Sequence, residues 1–378
     1  MSNDPSTAPS NDPTSIEKAF YPRGRLAGVY PTLTTRQDEA YVEFIEDARN
    51  VLHHAQQYPI RDYSRRLMAD AGISQAPDQD STQAAVDLLM QDPAVKTFYR
   101  VKRTLQEAFW GGLTSSLNKR RDALLAALDE AEKQGPGTLK YDPDWQQTTP
   151  GYASREIHIQ PGGYALEPLA GVFYDYGIKV FMGGAADFDR LHKGIAMAAA
   201  APADGQVNRV LDLGVSMGAT TIALKQRFPQ AEVWGIDISA PMVRYAHLRA
   251  VQANTEIHLR QMAAEDLDFP DGHFDAVLAV LLFHELPVPV AKQVIAEAYR
   301  VLRPGGTFTV LDFSGVRERD VYSMFFVAMD AADNGEPYLP DYVRSNVEDL
   351  LVAQGFKLEH YDPKAALRTG RVAVKPAS

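Results

Sequence analysis

The sequence predicts a doubly wound α/β fold for the C-terminal half of the chain, preceded by an additional all-helical N-terminal domain. Three observations carry this. The run Arg209-Val-Leu-Asp-Leu-Gly-Val-Ser-Met-Gly-Ala-Thr220 reads as a short buried strand, a glycine turn and the start of a helix. A second apolar run follows and closes on an acid, Val233-Trp-Gly-Ile-Asp237. Beyond it, short apolar runs alternate with helical patterns to the C-terminus, the signature of parallel strands joined by helical crossovers.

At 378 residues the chain is long enough for two domains. Residues 1–15 are polar and Pro-rich and are expected to be a disordered tail. An aromatic, basic loop follows at 20–31. From Thr35 onward Tyr41, Phe44, Ile45, Ala48, Val51 and Leu52 keep the spacing of an amphipathic helix. Further helices are predicted at 63–71, 81–90, 93–110 and 115–134, with Pro93 suited to a first turn and Gly135-Pro136-Gly137 ending the last. Residues 16–140 are therefore read as a helical domain that covers a site or forms a dimer. Residues 141–182, dense in aromatic and polar groups, are read as a connecting segment, and 183–378 as the sheet domain. Strands are predicted at 210–213, 232–236, 256–260, 274–281 and 306–311, with two more in the tail. Helices are predicted at 185–200, 219–227, 241–254 and 288–302.

Composition narrows the function classes. Hydrophobic content of 45% and charged content of 23% are those of a globular protein. A formal net charge of −11 argues against a nucleic-acid partner, which needs clustered Lys and Arg. No run reaches the roughly 18 apolar residues of a membrane span, so no membrane partner is expected, and without a targeting signal the default address is cytoplasmic. The absence of cysteine removes disulfides, thiolate metal sites and a cysteine nucleophile. No His, Asp and Glu cluster has ligand spacing, so no metal is expected.

Three chemistries compete for the glycine loop Gly214-Val-Ser-Met-Gly218. A dinucleotide fingerprint would set a pyrophosphate on the helix N-terminus, but Asp212 at the strand end would then repel it. Gly-x-Ser-x-Gly is also the form of a nucleophile elbow, with Ser216 as nucleophile and Asp312 and His360 following in hydrolase order. That elbow needs no acid after the next strand. Asp237 stands 19 residues past Gly218, near the ~20 expected of a group that bonds ribose hydroxyls. A nucleoside carrying a cation near Asp212 satisfies all three features.

With that loop, four later motifs resemble those of the class I S-adenosylmethionine-dependent methyltransferases, in family order from about residue 183 to 375. They are Ala264-Glu-Asp266, Phe274-Asp-Ala-Val277, Leu281-Leu-Phe-His-Glu-Leu-Pro287 and Arg303-Pro-Gly-Gly306. Ser216 departs from the family's usual central glycine. The resemblance implies a Rossmann-like, seven-stranded sheet whose last strand is antiparallel, and S-adenosylmethionine as cofactor, with S-adenosylhomocysteine as product. It assigns the cofactor to Asp212, Gly214, Ser216, Gly218, Asp237, Ile238, Met242, Glu265, Asp266 and Leu281.

The implied reaction is O-, N- or C-methylation of a small-molecule acceptor by in-line displacement in a closed site. His284 and Glu285, beyond the fourth strand, are the candidate base or acceptor-orienting pair. His158, Tyr164, Tyr174 and Tyr176, just before the sheet domain, and Phe325 and Tyr338, in a segment that interrupts the strand–helix rhythm, are candidate acceptor contacts. Aromatic packing between domains is the plainer reading of the first four, and ordinary core that of Phe325 and Tyr338. A homodimer, a macromolecular acceptor, a non-catalytic cofactor-binding scaffold and a serine hydrolase stand as alternatives.

Overall fold

The computed structural model describes Leu33, residues 35–360 and residues 370–377, with backbone only at His54 and His360. The tail expected at 1–15 and the aromatic loop at 20–31 lie outside these residues.

The N-terminal helices are α1 (Arg36–Asn50), α2 (Gln57–Asp70), α3 (Gln79–Leu89), α4 (Pro93–Asn118) and α5 (Arg121–Ala131), with a π-helical turn, Val51–Gln56, joining the first two. Their starts follow from local chemistry. Thr35, Asp78 and Asp92 each accept backbone N–H groups of the first turn, and Pro93 gives up an N–H that no helix would satisfy. Helix α4 does not break at Gly111-Gly112, where the sequence suggested a boundary. At Gly112 a Cβ would sit 2.2 Å from Tyr41 Cε1, so the glycine is there to let α1 approach.

The sheet comprises β1 (Thr138–Lys140), β2 (Arg209–Leu213), β3 (Glu232–Asp237), β4 (His258–Gln261), β5 (Phe274–Val280), β6 (Leu302–Leu311), β7 (Lys357–His360) and β8 (Arg371–Val374). Its order is β1-β4-β3-β2-β5-β6-β8-β7, parallel through β6 and antiparallel where β8 meets β6 and β7. The expected count of seven becomes eight because Thr138–Lys140, at the end of the segment expected to be all helical, pairs with β4 at the edge. The predicted connector supplies α6 (Ala170–Phe181), and α7 (Arg190–Ala198) leads into β2. Helices α8 (Ala219–Arg227), α9 (Ala240–Gln252) and α10 (Val288–Val301) are the crossovers, and α11 (Val321–Asp333), α12 (Leu339–Ser345) and α13 (Val347–Gln354) fill the gap between β6 and β7.

Alternation along each strand decides which layer a side chain joins. Leu211 and Leu213 pack with α10, α12 and α13, whereas Val210 packs with α7, α8 and α9 on the other face. Both faces are dry, as parallel sheets require. The N-terminal helices share their apolar residues with the sheet half. Val42, Phe109 and Trp110 pack with Phe173, Tyr176 and Tyr245, while Met68, Leu89 and Tyr99 pack with Val321 and Phe325. No helix among the described residues is long and apolar enough to cross a membrane.

Candidate active site

The loop after β2 is fixed by backbone bonds before any side chain acts. Gly214 and Val215 both donate to the Ile236 carbonyl, at 2.9 and 3.0 Å, zipping the turn onto β3. Gly214 (φ +72°) and Gly218 (φ +78°) take the left-handed conformation that glycine permits, and a Cβ on Gly218 would lie 2.7 Å from Ala246 Cβ of α9. Ser216 is also left-handed, at φ 45°. Its N–H donates to Asp237 Oδ2 at 2.9 Å, and the Ser239 N–H donates to Oδ1 at 2.9 Å. Burial pushes the Asp237 carboxyl up to about 6 against those two donors. Each oxygen keeps a lone pair for a further donor.

Above this floor lies a cleft at the carboxyl ends of the central strands, where open α/β sheets hold ligands. Of the expected cofactor contacts, Gly214, Ser216, Asp237, Ile238, Met242, Glu265 and Leu281 line it. Asp212, Gly218 and Asp266 do not. Asp212 is sunk in β2, accepting the Thr221 hydroxyl at 2.7 Å, and burial drives its carboxyl up to about 7. A counter-charge for a bound cation is therefore not what its position provides. Gly218 serves the α8 start, and Asp266 is exposed while its neighbour Glu265 turns inward.

Among the expected acceptor contacts, Tyr164 and Tyr174 line the cleft. Tyr176, two residues further along α6, points about 200° away and is fully buried with Trp110 and Phe109. Phe325 is likewise absent from the cleft; it packs edge-on against Tyr99 at 5.5 Å. The Tyr338 hydroxyl donates to the Tyr152 carbonyl at 3.2 Å, behind the lining. Tyr152 was missed by the sequence reading, yet it lines the cleft and its hydroxyl donates to Glu265. Nothing in its loop-forming surroundings marked it.

At the inner end the expected pair His284 and Glu285 separate into different environments. His284 is 3% exposed. Its Nδ1 lies 2.8 Å from Asp312 Oδ1, and Asp312 Oδ2 accepts the backbone N–H of Phe283 at 2.9 Å. Burial alone would pull this imidazole down, but the Asp312 charge and hydrogen bond, with Glu336 and Glu285 beyond, push it up to about 10. Glu285 alone of the two lines the cleft. Burial pushes its carboxyl up to about 7, opposed by the His284 charge and reinforced by that of Glu336. His158 stands behind Glu285, with Nε2 3.9 Å from its carboxylate and Nδ1 2.8 Å from Glu336 Oε1.

The elbow geometry of a serine hydrolase is not assembled. Asp312 is committed to His284. His360 ends β7, four strands from β2 in the sheet order, or roughly 19 Å at the usual interstrand spacing. Among the described residues no group of three or more His, Asp or Glu could hold a metal ion.

A family model described as a methyltransferase domain matches residues 210–306. A demethylmenaquinone methyltransferase of Thermus thermophilus is 39% identical over 105 residues, covering 28% of this chain and 47% of that protein. A phosphatidylethanolamine N-methyltransferase of Cereibacter sphaeroides is 36% identical over 115 residues, covering 30% and 54%. The chain thus spans about half the length of these two curated relatives. The ubiquinone/menaquinone biosynthesis C-methyltransferase UbiE of Cupriavidus necator is 33% identical over 169 residues, covering 42% of this chain and 67% of that one. Through its C-terminal half, the chain belongs to the class I S-adenosylmethionine-dependent methyltransferase family.

Proposed function

We propose that the chain methylates a small-molecule acceptor in the cleft, with S-adenosylmethionine as donor. The observation that carries this is Asp237. Its carboxylate is locked by two backbone N–H groups at the end of β3, with lone pairs left for a ribose diol. The surrounding groups fit the same cofactor. Gly214 leaves room where a Cβ would come within 3.1 Å of Leu282, and Ile238, Met242 and Leu281 offer apolar walls for a flat base. Glu265, in the same lining, offers an acceptor oxygen.

When bound, the sulfonium supplies the electrophilic methyl group. The protein's part is to align the acceptor and exclude water. Tyr152, Tyr164 and Tyr174 wall the cleft. Glu285 is the side chain suited to take a proton from the acceptor, being the acid that faces the cleft with an affinity near neutrality. His284, locked to Asp312, holds the 283–285 turn in place.

A small acceptor suits a cleft walled by tyrosines and an acidic chain. Relatives named for demethylmenaquinone and for phosphatidylethanolamine make carbon and nitrogen acceptors the first to try. Full-length protein incubated with deuteromethyl-labelled cofactor and a panel of quinols, amines and phenols should yield a labelled product detectable by mass spectrometry. Cofactor binding without transfer to any acceptor class would favour the scaffold reading instead.

A further inference from the structure

We propose that helix α4 is a positioning element for the acceptor end of the cleft: it fixes His158 and Glu336 beside Glu285, making that pair the charge control on the carboxylate that takes the acceptor's proton. The proposal rests on Glu285 being that proton acceptor. It gives the helical N-terminal part of the chain a task that the methyltransferase half does not perform for itself.

The geometry begins with a strained turn. His158 and Ile159 both lie in the left-handed region, at φ 54° and 50°. For side-chain-bearing residues, and above all for a β-branched isoleucine, this conformation is costly and persists only when neighbours enforce it. Helix α4 is the enforcer. Gln106 Nε2 and Trp110 Nε1 both donate to the His158 carbonyl, at 3.0 and 2.8 Å. Arg49 of α1 donates to the Gln106 side-chain oxygen, which turns the amide nitrogen toward His158. Trp110 reaches the turn because Gly177 of α6 leaves space; a Cβ there would be 2.9 Å from the indole.

The same helix grips the other member of the pair. Lys102 Nζ lies 2.7 Å from Asp330 Oδ1, and Arg103 donates to the Asp333 carbonyl at 2.5 Å, both at the end of α11. Three residues later comes Glu336, 3% exposed, with Oε1 on His158 and Oε2 unpartnered. Gly335 brings the two turns together, since a Cβ there would be 2.8 Å from the Glu156 carbonyl oxygen. One helix therefore holds both sides of the His158–Glu336 contact, and no residue of α4 lines the cleft.

Glu285 is faced by His284 from its own turn, by Asp312 beyond it, by His158 and Glu336 from the two clamped turns, and by Tyr164 and Tyr174 from the cleft wall. Burial pulls the His158 imidazole down, but the Glu336 charge and hydrogen bond together with the Glu285 charge outweigh it, so it is held above its ordinary range. When protonated it lowers the proton affinity of Glu285, against the opposing charge of Glu336, and favours the ionised carboxylate. In the step it serves, the acceptor's bond to hydrogen breaks and the proton goes to a Glu285 oxygen. The freed electron pair forms the bond to the methyl carbon, and the carbon–sulfur bond breaks with its pair left on sulfur.

The test is a carbon-13 NMR titration of the full chain labelled at glutamate side-chain carboxyls, without ligand. The signal lost in Glu285→Gln identifies Glu285. In His158→Gln its midpoint should rise by about one pH unit, about tenfold in proton affinity, as expected for losing a cation some 4 Å away. Trp110→Phe should move it the same way by less; if that variant does not fold, Gln106→Leu carries the same test. An unchanged or lower midpoint in His158→Gln overturns the pair's role. A shift in His158→Gln with none in Trp110→Phe or Gln106→Leu overturns the role of α4. Turnover in Glu285→Gln is read separately: wild-type kcat there refutes the proton-acceptor reading, whatever the titration shows.

Discussion

Ser216 holds Asp237 through its backbone, not its hydroxyl: the amide donates to Oδ2 at 2.9 Å. The residue that gives the loop its hydrolase-like look therefore meets this acid through its main chain, while its side chain bonds Tyr174. Its left-handed φ of 45° is also one that glycine adopts more easily.

Replacing the side chain should accordingly cost little. Ser216→Ala and Ser216→Gly are expected to change affinity for S-adenosylhomocysteine by less than about threefold, since each keeps the amide. Stability should stay within about 1 kcal/mol of wild type, the glycine variant gaining relief at φ and losing it to unfolded-state entropy. Calorimetric titration and urea unfolding read the two. A collapse of ester hydrolysis in Ser216→Ala would revive the nucleophile.

Gly218 should not tolerate a methyl group. Its φ of +78° and the 2.7 Å approach of Ala246 Cβ combine two separate penalties. Gly218→Ala should lose about 2 kcal/mol or more, from the left-handed backbone and the forced parting of α8 from α9. The midpoint of urea unfolding should fall without a change in slope.

The His284–Asp312 pair predicts a slope of stability with pH. The imidazole is raised to about 10 in the folded protein against roughly 6.5 when unfolded. The stability this contributes is fully present below about pH 6.5 and is lost as pH rises toward 10, because over that window the folded state binds the extra proton. Asp312→Asn should flatten that decline while lowering stability at pH 6.5. Unfolding free energies at pH 6.5, 8 and 9.5 for the two proteins test the sign.

What was legible in the sequence follows from which signals are local. Glycine turns, strand-end acids and apolar runs of four or five residues are local, and β2, α8, β3, β5 and α10 stand close to where they were expected. Strand β1 is only three residues long, with its ends exposed and no apolar run, and becomes a strand by pairing with β4. Helix α6 contains Gly171 and Gly177, poor helix formers that are present for the approach of Tyr245 and Trp110. The site divides in the same way. Asp237 and Glu285 belong to motifs. Tyr152 and Glu336 reach the site only through tertiary contacts, from positions 113 residues before Glu265 and 178 after His158. Tyr176 and Phe325 looked like acceptor contacts because aromatic content cannot tell a cleft wall from a core.

The central claim is a nucleoside-binding cleft anchored on Asp237, and calorimetric titration of S-adenosylhomocysteine into Asp237→Ala tests it most directly. The account predicts one binding site in the wild-type chain. In the variant, affinity should fall by tenfold or more, from the loss of about 1.5–3 kcal/mol of charged hydrogen bonding. Equal affinity in the two proteins, or no binding to the wild type, would contradict it.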